Sequence, residues 1–356
     1  MVDLQSDTIY FEVSSLKKST LVGQKQHNRI KVFAAIMASA AVLFGCSEAA
    51  SPQETDTVAY ETGTLNMGTG SEDSVIHQAG WKVSDIISNT VPGIYVAVEV
   101  SKGAMVNADR VSDGAMDLAL IPADVAYDAV NGENSFSDKK LENLRVLGAC
   151  YQEVSAWAAP VSTGLTEVSE LKGKIISSGS RASATELASE NVFSILDIDE
   201  ENTEVYTDTI SASVRHLKEG TADASHAFTA VPNASHESLA NEMEAIFLPY
   251  SEEQLEQILN MEPWYFETEI PAGTYQGQEE AVLTFGRKVL LCANAEMDSD
   301  LAYEIARALD LNGPVYTADT AFMSKISDKE FLCEELPIPL HEGAEGYYRE
   351  LGYIKE

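Results

Sequence analysis

Residues 65–87, LNMGTGSEDSVIHQAGWKVSDII, decide how this chain is read. Leu65 to Gly68 has strand length, Gly68 to Ser74 is rich in glycine and hydroxyls, and from Val75 to Ile87 apolar residues recur at helical spacing. A strand, a glycine turn and a helix in that order form the first part of a βαβ unit. The alternation continues outward. Ile94 to Val100 and Leu118 to Ile121 read as strands, and Val106 to Val111 and Val125 to Val130 as helices. It resumes further on: strands at Lys174 to Ser178, Glu204 to Tyr206 and Ala224 to Phe228 enclose helices at Ser183 to Leu196 and Ala212 to Leu217. Two runs of such units predict an α/β protein of two lobes, each a parallel sheet with helices packed on it.

Two segments qualify as crossings between the lobes. Leu144 to Pro160 is apolar and slightly irregular, and Trp264 to Tyr275 is aromatic with Pro263 and Pro271 beside or within it. On that reading lobe I comprises residues 64–150 and 270–356, and lobe II comprises 151–269 with the hinge segments. The last third, with Val282 to Leu291 and a helix at Asp298 to Leu309, then returns to lobe I. Such a chain closes by a hinge over a ligand held between the lobes.

Upstream, Lys25, Arg29 and Lys31 precede the uncharged run Val32 to Gly45, which Cys46 ends. The run is short of the ~20 residues a membrane helix takes and suits the core of an export signal. Leu43-Phe44-Gly45-Cys46 resembles the lipobox of bacterial lipoproteins, in which the cysteine is lipidated and becomes the new N-terminus. Residues 1–45 are therefore expected to be a signal peptide with lipobox, Cys46 the lipidation site, and residues 46–63 an acidic flexible linker. This predicts an extracytoplasmic protein, in the periplasm or at the cell surface, lipid-anchored to a bacterial membrane. A buried helix or an uncleaved anchor is the plain alternative for the same run.

The 356 residues carry 57 Asp or Glu against 23 Lys or Arg, a formal net charge of −34. Nucleic acid is excluded as a partner, because phosphate binding needs clustered Lys and Arg. A local group of donors can still hold an anion, since surface charges are screened over ~8 Å. The cysteines Cys150, Cys292 and Cys333 show no C-x-x-C pair and no zinc spacing; one disulfide or buried free thiols are both open. No metal is expected.

The candidate site lies in the turns that follow the strands. Thr69, Gly70, Ser71 and Ser74 sit where a strand opens into a helix, and free N–H groups at a helix start favour anions. Ser71 or Ser74 serving only as a helix cap is the plain alternative. The corresponding turn of lobe II supplies Ser180, Arg181, Ser183 and Thr185; Arg181 can clamp a carboxylate bidentately or stay solvated. Asp124 and Tyr127 follow the strand Leu118 to Ile121, Asp124 as an N-cap candidate first and an amine ligand second. The third glycine of G-x-G-x-x-G is missing, with Asp73 in its place, so no dinucleotide or other cofactor is expected. None of the six histidines stands in a motif with defined chemistry, and the reading is of a binding protein, not an enzyme.

These residues resemble the TAXI family of extracytoplasmic solute receptors, the binding subunits of one class of TRAP transporters. The likeness runs from Leu65 to Gly352. Gly68-Thr69-Gly70-Ser71 resembles the family's first loop, Ser101 to Asn107 its T-x-G-S-x-x-N turn, and Ala123-Asp124-Val125-Ala126-Tyr127 its S-D-x-x-Y. Leu171 to Lys174, Ile270 to Tyr275 and Pro339 to Glu345 match three later motifs in the same order. The family commonly has glycine at Asp73 and Ser74, a tyrosine near Ile76 or His77, and a second loop G-x-x-G-S-G-T where this chain has Ala182 and Ala184, so the pocket is changed in shape.

The resemblance implies a two-lobe periplasmic-binding-protein fold, type II-like. It implies capture of a small organic acid or amino acid, glutamate-like, and delivery to a TRAP membrane permease subunit driven by an ion gradient. It carries over Asn107, Ser183 and Thr185 as ligand or hinge-side polar residues, with Ser71, Asp124 and Tyr127 next, and sets His341 in a structural turn. The alternative is a ligand-sensing module for a membrane sensor kinase. A hydrolase, motivated only by the serines of the two loops, is the third reading.

Overall fold

The computed structural model describes residues 60–355 apart from Asp73 and Ala182. The expected signal peptide, Cys46 and residues 46–59 of the linker lie outside the described residues. No helix among the described residues is long and apolar enough to cross a membrane.

The first unit is β1 (Gly63–Gly68), α1 (Val75–Thr90), β2 (Ile94–Glu99), α2 (Ala104–Ser112), β3 (Leu118–Pro122) and α3 (Ala123–Asn131). The long strand β4 (Leu144–Pro160) leads to the second unit. That unit is β5 (Ile175–Ser177), α4 (Ala184–Leu196), β6 (Glu204–Tyr206), α5 (Ile210–Glu219) and β7 (Ala224–Thr229). It is followed by α6 (Ala234–Glu242), β8 (Ala245–Phe247), α7 (Glu252–Leu259) and β9 (Tyr265–Ile270). A second long strand, β10 (Val282–Asn294), then precedes α8 (Ser299–Tyr316), α9 (Lys329–Cys333) and α10 (Glu342–Glu350).

One curled sheet runs through the whole, in the order β2-β1-β3-β10-β4-β7-β5-β6, with β9 on β10 and β8 on β4. β1, β2 and β3 are parallel to one another, and so are β5, β6 and β7. β4 and β10 run antiparallel to each other through both halves. Their register slips twice, between Val289 and Leu290 and between Leu291 and Cys292. Bulges of this kind bend a strand and increase its twist, which accounts for the curl where the halves meet.

Alternation along fully buried strands sorts the core into two layers per half. In β3, Leu118 and Leu120 face α1, α8 and α10, whereas Ala119 and Ile121 face α2 and α3. The second half repeats this, with Trp157, Ile176 and Phe228 in one cluster and Val154, Ala156 and Val214 in the other. Strands buried on both faces read as continuous apolar runs, as Leu118 to Ile121 does.

The two crossings fare differently. Leu144 to Pro160 is a single strand reaching from one half to the other. Residues 265–270 of the second expected crossing instead pair as β9 with residues 282–287 of β10. Beyond Lys288, β10 exchanges β9 for β3 as its neighbour. The return therefore runs inside β10. α8 also continues past Leu309 to Tyr316, through Pro314. Gly313 lets Ile326 pack against the helix, and Thr317 Oγ1 donates to the Gly313 carbonyl at 2.8 Å, so tertiary contact overrides the Asn312-Gly313-Pro314 stop signal.

Candidate functional site

Strand register fixes where the loops go. The carboxyl ends of β1, β2 and β3 are Gly68, Glu99 and Pro122, and Pro122 lies opposite Val289, which pairs with Tyr151 of β4. On the other side, the carboxyl end of β7, Thr229, pairs with Val154. The carboxyl ends of the two parallel units thus flank the β10–β4 pair, β3 against Val289 of β10 and β7 against Val154 of β4. The loops after β1, β2 and β3 and those after β5, β6 and β7 therefore leave the sheet on the two sides of the β10–β4 pair. In open α/β sheets ligands lie in such a position, at the carboxyl ends of the strands. Helices α1, α4, α5 and α6 start at these loops and are capped by Ser74, Ser183, Thr209 and Asn233.

The floor between the loops holds a buried ionic cluster. Arg287, 6 % exposed, donates from Nε and Nη2 to Glu153 Oε2 at 2.8 and 2.6 Å, and its Nη1 pairs closely with Asp124 Oδ2. Arg287 and Glu153 are direct partners in the β10–β4 ladder, whereas Asp124 comes from the first turn of α3. The guanidinium also lies over the Phe228 ring, 5.3 Å from its centre. Burial works to lower the Arg287 pKa, but Asp124 and Glu153 hold it above its ordinary value. Asp124 Oδ1 is buried without a hydrogen-bond partner. Next along β10, Lys288 donates to the Glu334 carbonyl at 2.7 Å and sits by the rings of Phe331 and Phe266. Desolvation lowers its pKa to about 8.

Each loop is fixed from behind by a histidine. In the first, Trp81 Nε1 donates to His77 Nε2 at 3.1 Å, which assigns the ring proton to Nδ1. His77 then donates to Thr69 Oγ1 at 2.8 Å, and Thr69 donates to the Glu99 carbonyl at 2.9 Å. In the second, Ser189 Oγ donates to the Ser178 carbonyl and accepts from His226 Nδ1 at 2.7 Å. His226 Nε2 accepts from Ser155 Oγ at 2.8 Å, and Ser155 in turn accepts from Tyr250 at 2.7 Å. Every hydrogen has one destination. His226 is fully buried and stacked on Trp157, and desolvation lowers its pKa to about 3. A serine and a histidine in contact look like hydrolytic machinery, yet this pair is sealed in the core with its protons committed to structure.

The expected site residues divide accordingly. Thr69, Gly70, Ser71 and Ser74 lie in the loop after β1. Thr69 and Gly70 are buried there, Ser74 Oγ accepts from His77 N and donates to the Ser71 carbonyl, and Ser71 is exposed. Asn107, wholly buried, donates from Nδ2 to the Thr69 carbonyl at 2.7 Å, beside Ser101 Oγ on the same oxygen. Ser180 is half-buried and Arg181 exposed in the loop after β5, and Arg181 has no ion pair among the described residues. Ser183 Oγ accepts from Glu186 N as the α4 cap, and Thr185 Oγ1 accepts from Phe228 N at 3.1 Å on the open edge of β7. Tyr127 leans on Trp264. Ser74, Asn107, Ser183 and Thr185 thus hold the loops in shape.

Arg287 and Glu153 escaped the sequence reading. The signal was present, since each is a charge interrupting one of the two longest apolar runs. Only strand pairing shows that the two interruptions coincide. His341 caps α10, accepting from Gly343 N at 3.2 Å. Cys150, Cys292 and Cys333 are buried free thiols. Among the described residues no His, Cys, Asp and Glu group is arranged to hold a metal ion.

Two halves of parallel sheet, their carboxyl ends on either side of the central β10–β4 pair and joined by those two crossing strands, define a two-lobe α/β binding-protein fold. The chain belongs to the NMT1-like family, whose model matches residues 67–352. Solved structures similar to it include PhnD1 from Prochlorococcus marinus in complex with methylphosphonate. That pair shares 11 % identity over 82 % of this chain and 99 % of the other, with a TM-score of 0.45. The periplasmic aliphatic sulphonate binding protein SsuA from Escherichia coli is similar at 9 % identity over 81 % and 87 %, TM-score 0.44. Substrate binding domain 2 of GlnP from Lactococcus lactis, in an open conformation, is similar at 9 % over 77 % and 97 %, TM-score 0.44.

Proposed function

We propose that this protein is an extracytoplasmic solute receptor of the TAXI type, anchored through a lipidated Cys46. It captures a small organic acid or amino acid between its lobes and delivers it to a TRAP membrane permease. The lobes meet inside β4 and β10, so that residues 64–150 with the segment after Lys288 face residues 151–287. The observation that carries the reading is the placement of the loops: those at helix starts after β1 and after β5 belong to two parallel units whose carboxyl ends flank the β10–β4 pair. Helix N-termini favour anions, which fits an acidic solute on an otherwise acidic protein.

Binding shifts the protein toward a closed form to the extent that the ligand touches both lobes. Isothermal titration with amino acids and organic acids, together with small-angle scattering, tests this. Saturable binding with a smaller radius of gyration is expected. Absence of binding and of compaction with every member of both classes overturns it. Radiolabelled palmitate incorporated into wild type and not into Cys46→Ala tests the anchor.

A further inference from the structure

We infer that Trp81 is a positioning residue for the loop after β1: its indole N–H selects the tautomer of His77, and through that ring it fixes how Thr69 is held. The bearing of this loop on ligand binding rests on the solute-receptor reading above. Trp81 is 51 % exposed, on α1 one turn beyond His77, so it adds little to the core. An indole nitrogen can only donate. Trp81 Nε1 donates to His77 Nε2 at 3.1 Å, which leaves that nitrogen bare and puts the ring hydrogen on Nδ1. His77 Nδ1 then donates to Thr69 Oγ1 at 2.8 Å, and the one hydroxyl hydrogen of Thr69 goes to the Glu99 carbonyl at 2.9 Å. In the opposite tautomer Nδ1 is an acceptor. His77 and Glu99 then compete for that single hydrogen, and one of the two bonds is lost.

Thr69 is where the loop is tied down. It is 1 % exposed, its N–H reaches the Glu99 carbonyl at 3.1 Å, and its own carbonyl accepts from Ser101 Oγ and Asn107 Nδ2, both at 2.7 Å. The helix α1, the end of β2, the turn after it and α2 are thus joined through one residue. Gly80, next to Trp81 in sequence, completes the arrangement. A Cβ there would stand 2.4 Å from Thr69 Cγ2, so its absence lets α1 lie against the threonine methyl and leaves the hydroxyl for His77 and Glu99. Of the three side chains in the series, Thr69 and His77 are buried and only the indole stands at the surface. The exposed end therefore sets the direction of the buried bonds.

NMR of the full-length protein, with histidine isotope-labelled at both ring nitrogens, separates the two neutral tautomers; the His77 signals are those lost in His77→Gln. Wild type should carry the His77 hydrogen on Nδ1. Trp81→Phe, which keeps an aromatic ring and removes the donor, should move most of the population to Nε2–H. Hydrogen exchange at the amides of Thr69 and Ser101 should then quicken about 10-fold, and L-glutamate should bind about 3- to 10-fold more weakly. Trp81→Arg puts back a group that only donates, and it should restore the tautomer, the exchange rates and the affinity. A general loosening of α1 would not be mended by that variant. A hydrogen on Nε2 in wild type overturns the inference, and so does Trp81→Phe with the tautomer or the exchange rates of wild type. If L-glutamate does not bind wild type, the ligand reading bears the loss, and the tautomer and exchange measurements still decide whether Trp81 positions the loop.

Discussion

Tyr127 of α3 and Trp264 at the approach to β9 face each other with ring centroids 5.3 Å apart and planes tilted by 57°. One ring belongs to the half that contains β1 to β3, the other to the segment between α7 and β9, which follows β5 to β7 in the chain. Asn191 of α4 donates to Tyr265 at 3.2 Å beside them, and Phe266 meets Phe331 of α9 at 6.2 Å. Tyr127 with Trp264 and Phe266 with Phe331 thus join the halves, and separating them must part these rings.

An aromatic pair contributes ~0.5–1.5 kcal/mol beyond its buried area. If the Tyr127–Trp264 contact favours the closed form, Trp264→Leu should weaken ligand binding about 3- to 10-fold while leaving the melting temperature of the ligand-free protein within a few degrees. Titration calorimetry and a thermal melt measure both. Unaltered affinity would show that the contact does not depend on closure.

Gly179 in the second loop has φ of +93°, and a Cβ there would stand 2.6 Å from Thr185 Cβ and 3.2 Å from the backbone nitrogen of Glu186. Gly179→Ala combines a disfavoured backbone with a clash at the start of α4, for an expected loss of ~2–4 kcal/mol and of ligand binding. Gly164, with φ of +73° and open space around it, is the control. Its alanine variant should lose only ~1 kcal/mol and keep binding. Equal losses in urea titrations of the two variants would remove the clash from the explanation.

Asn107 ties α2 to the first loop through the Thr69 carbonyl, which Ser101 Oγ shares. Asn107→Ala should cost ~1–3 kcal/mol, because the buried bond is lost and a hole is left. Faster hydrogen exchange should appear at the amides of Thr69 and Ser101, whose bonds to Glu99 and Gly70 join the loop to β2 and its following turn. Exchange rates unchanged at both would show that Ser101 alone suffices.

Acid should destabilise the second half first. His226 and His236 are fully buried, and desolvation lowers their pKa values to about 3 and about 4. The unfolded chain takes up these protons near pH 6.5 and the folded chain does not, so stability is complete above about pH 6.5 and falls as pH drops toward 4. At pH 5 each histidine should cost on the order of 2 kcal/mol. The raised pKa values of Asp128 and Glu262 act with the opposite sign and offset part of the loss. Urea midpoints between pH 7 and pH 5 measure the sum, and His236→Gln should flatten the slope. A midpoint independent of pH in wild type is the contrary result.

Much of the fold was legible in residues 65–87 and their repeats, because period and turn chemistry are local. Ser74 and Ser183 stand where helices start and cap them, and Leu118 to Ile121 is a strand buried on both faces. The candidate site was legible as loops, not as contacts. Thr185 and Asn107 carry the right groups in the right turns, yet their partners are backbone atoms across the fold, which no spacing reveals. Aromatic and proline residues at 263–275 do not by themselves reveal that 265–270 pair with 282–287 of β10, because a hairpin and a hinge carry the same local signals.

By itself the sequence determined the alternation of strand and helix, the two units, the loops at the helix starts and the acidic character of the chain. Tertiary structure alone decided that Arg287 meets Glu153, 134 positions away, and Asp124 from another element. The physical reason is that local order follows from φ, ψ and side-chain periodicity within a few residues. A buried charge, by contrast, is tolerable only where strand register brings its counter-charges to it.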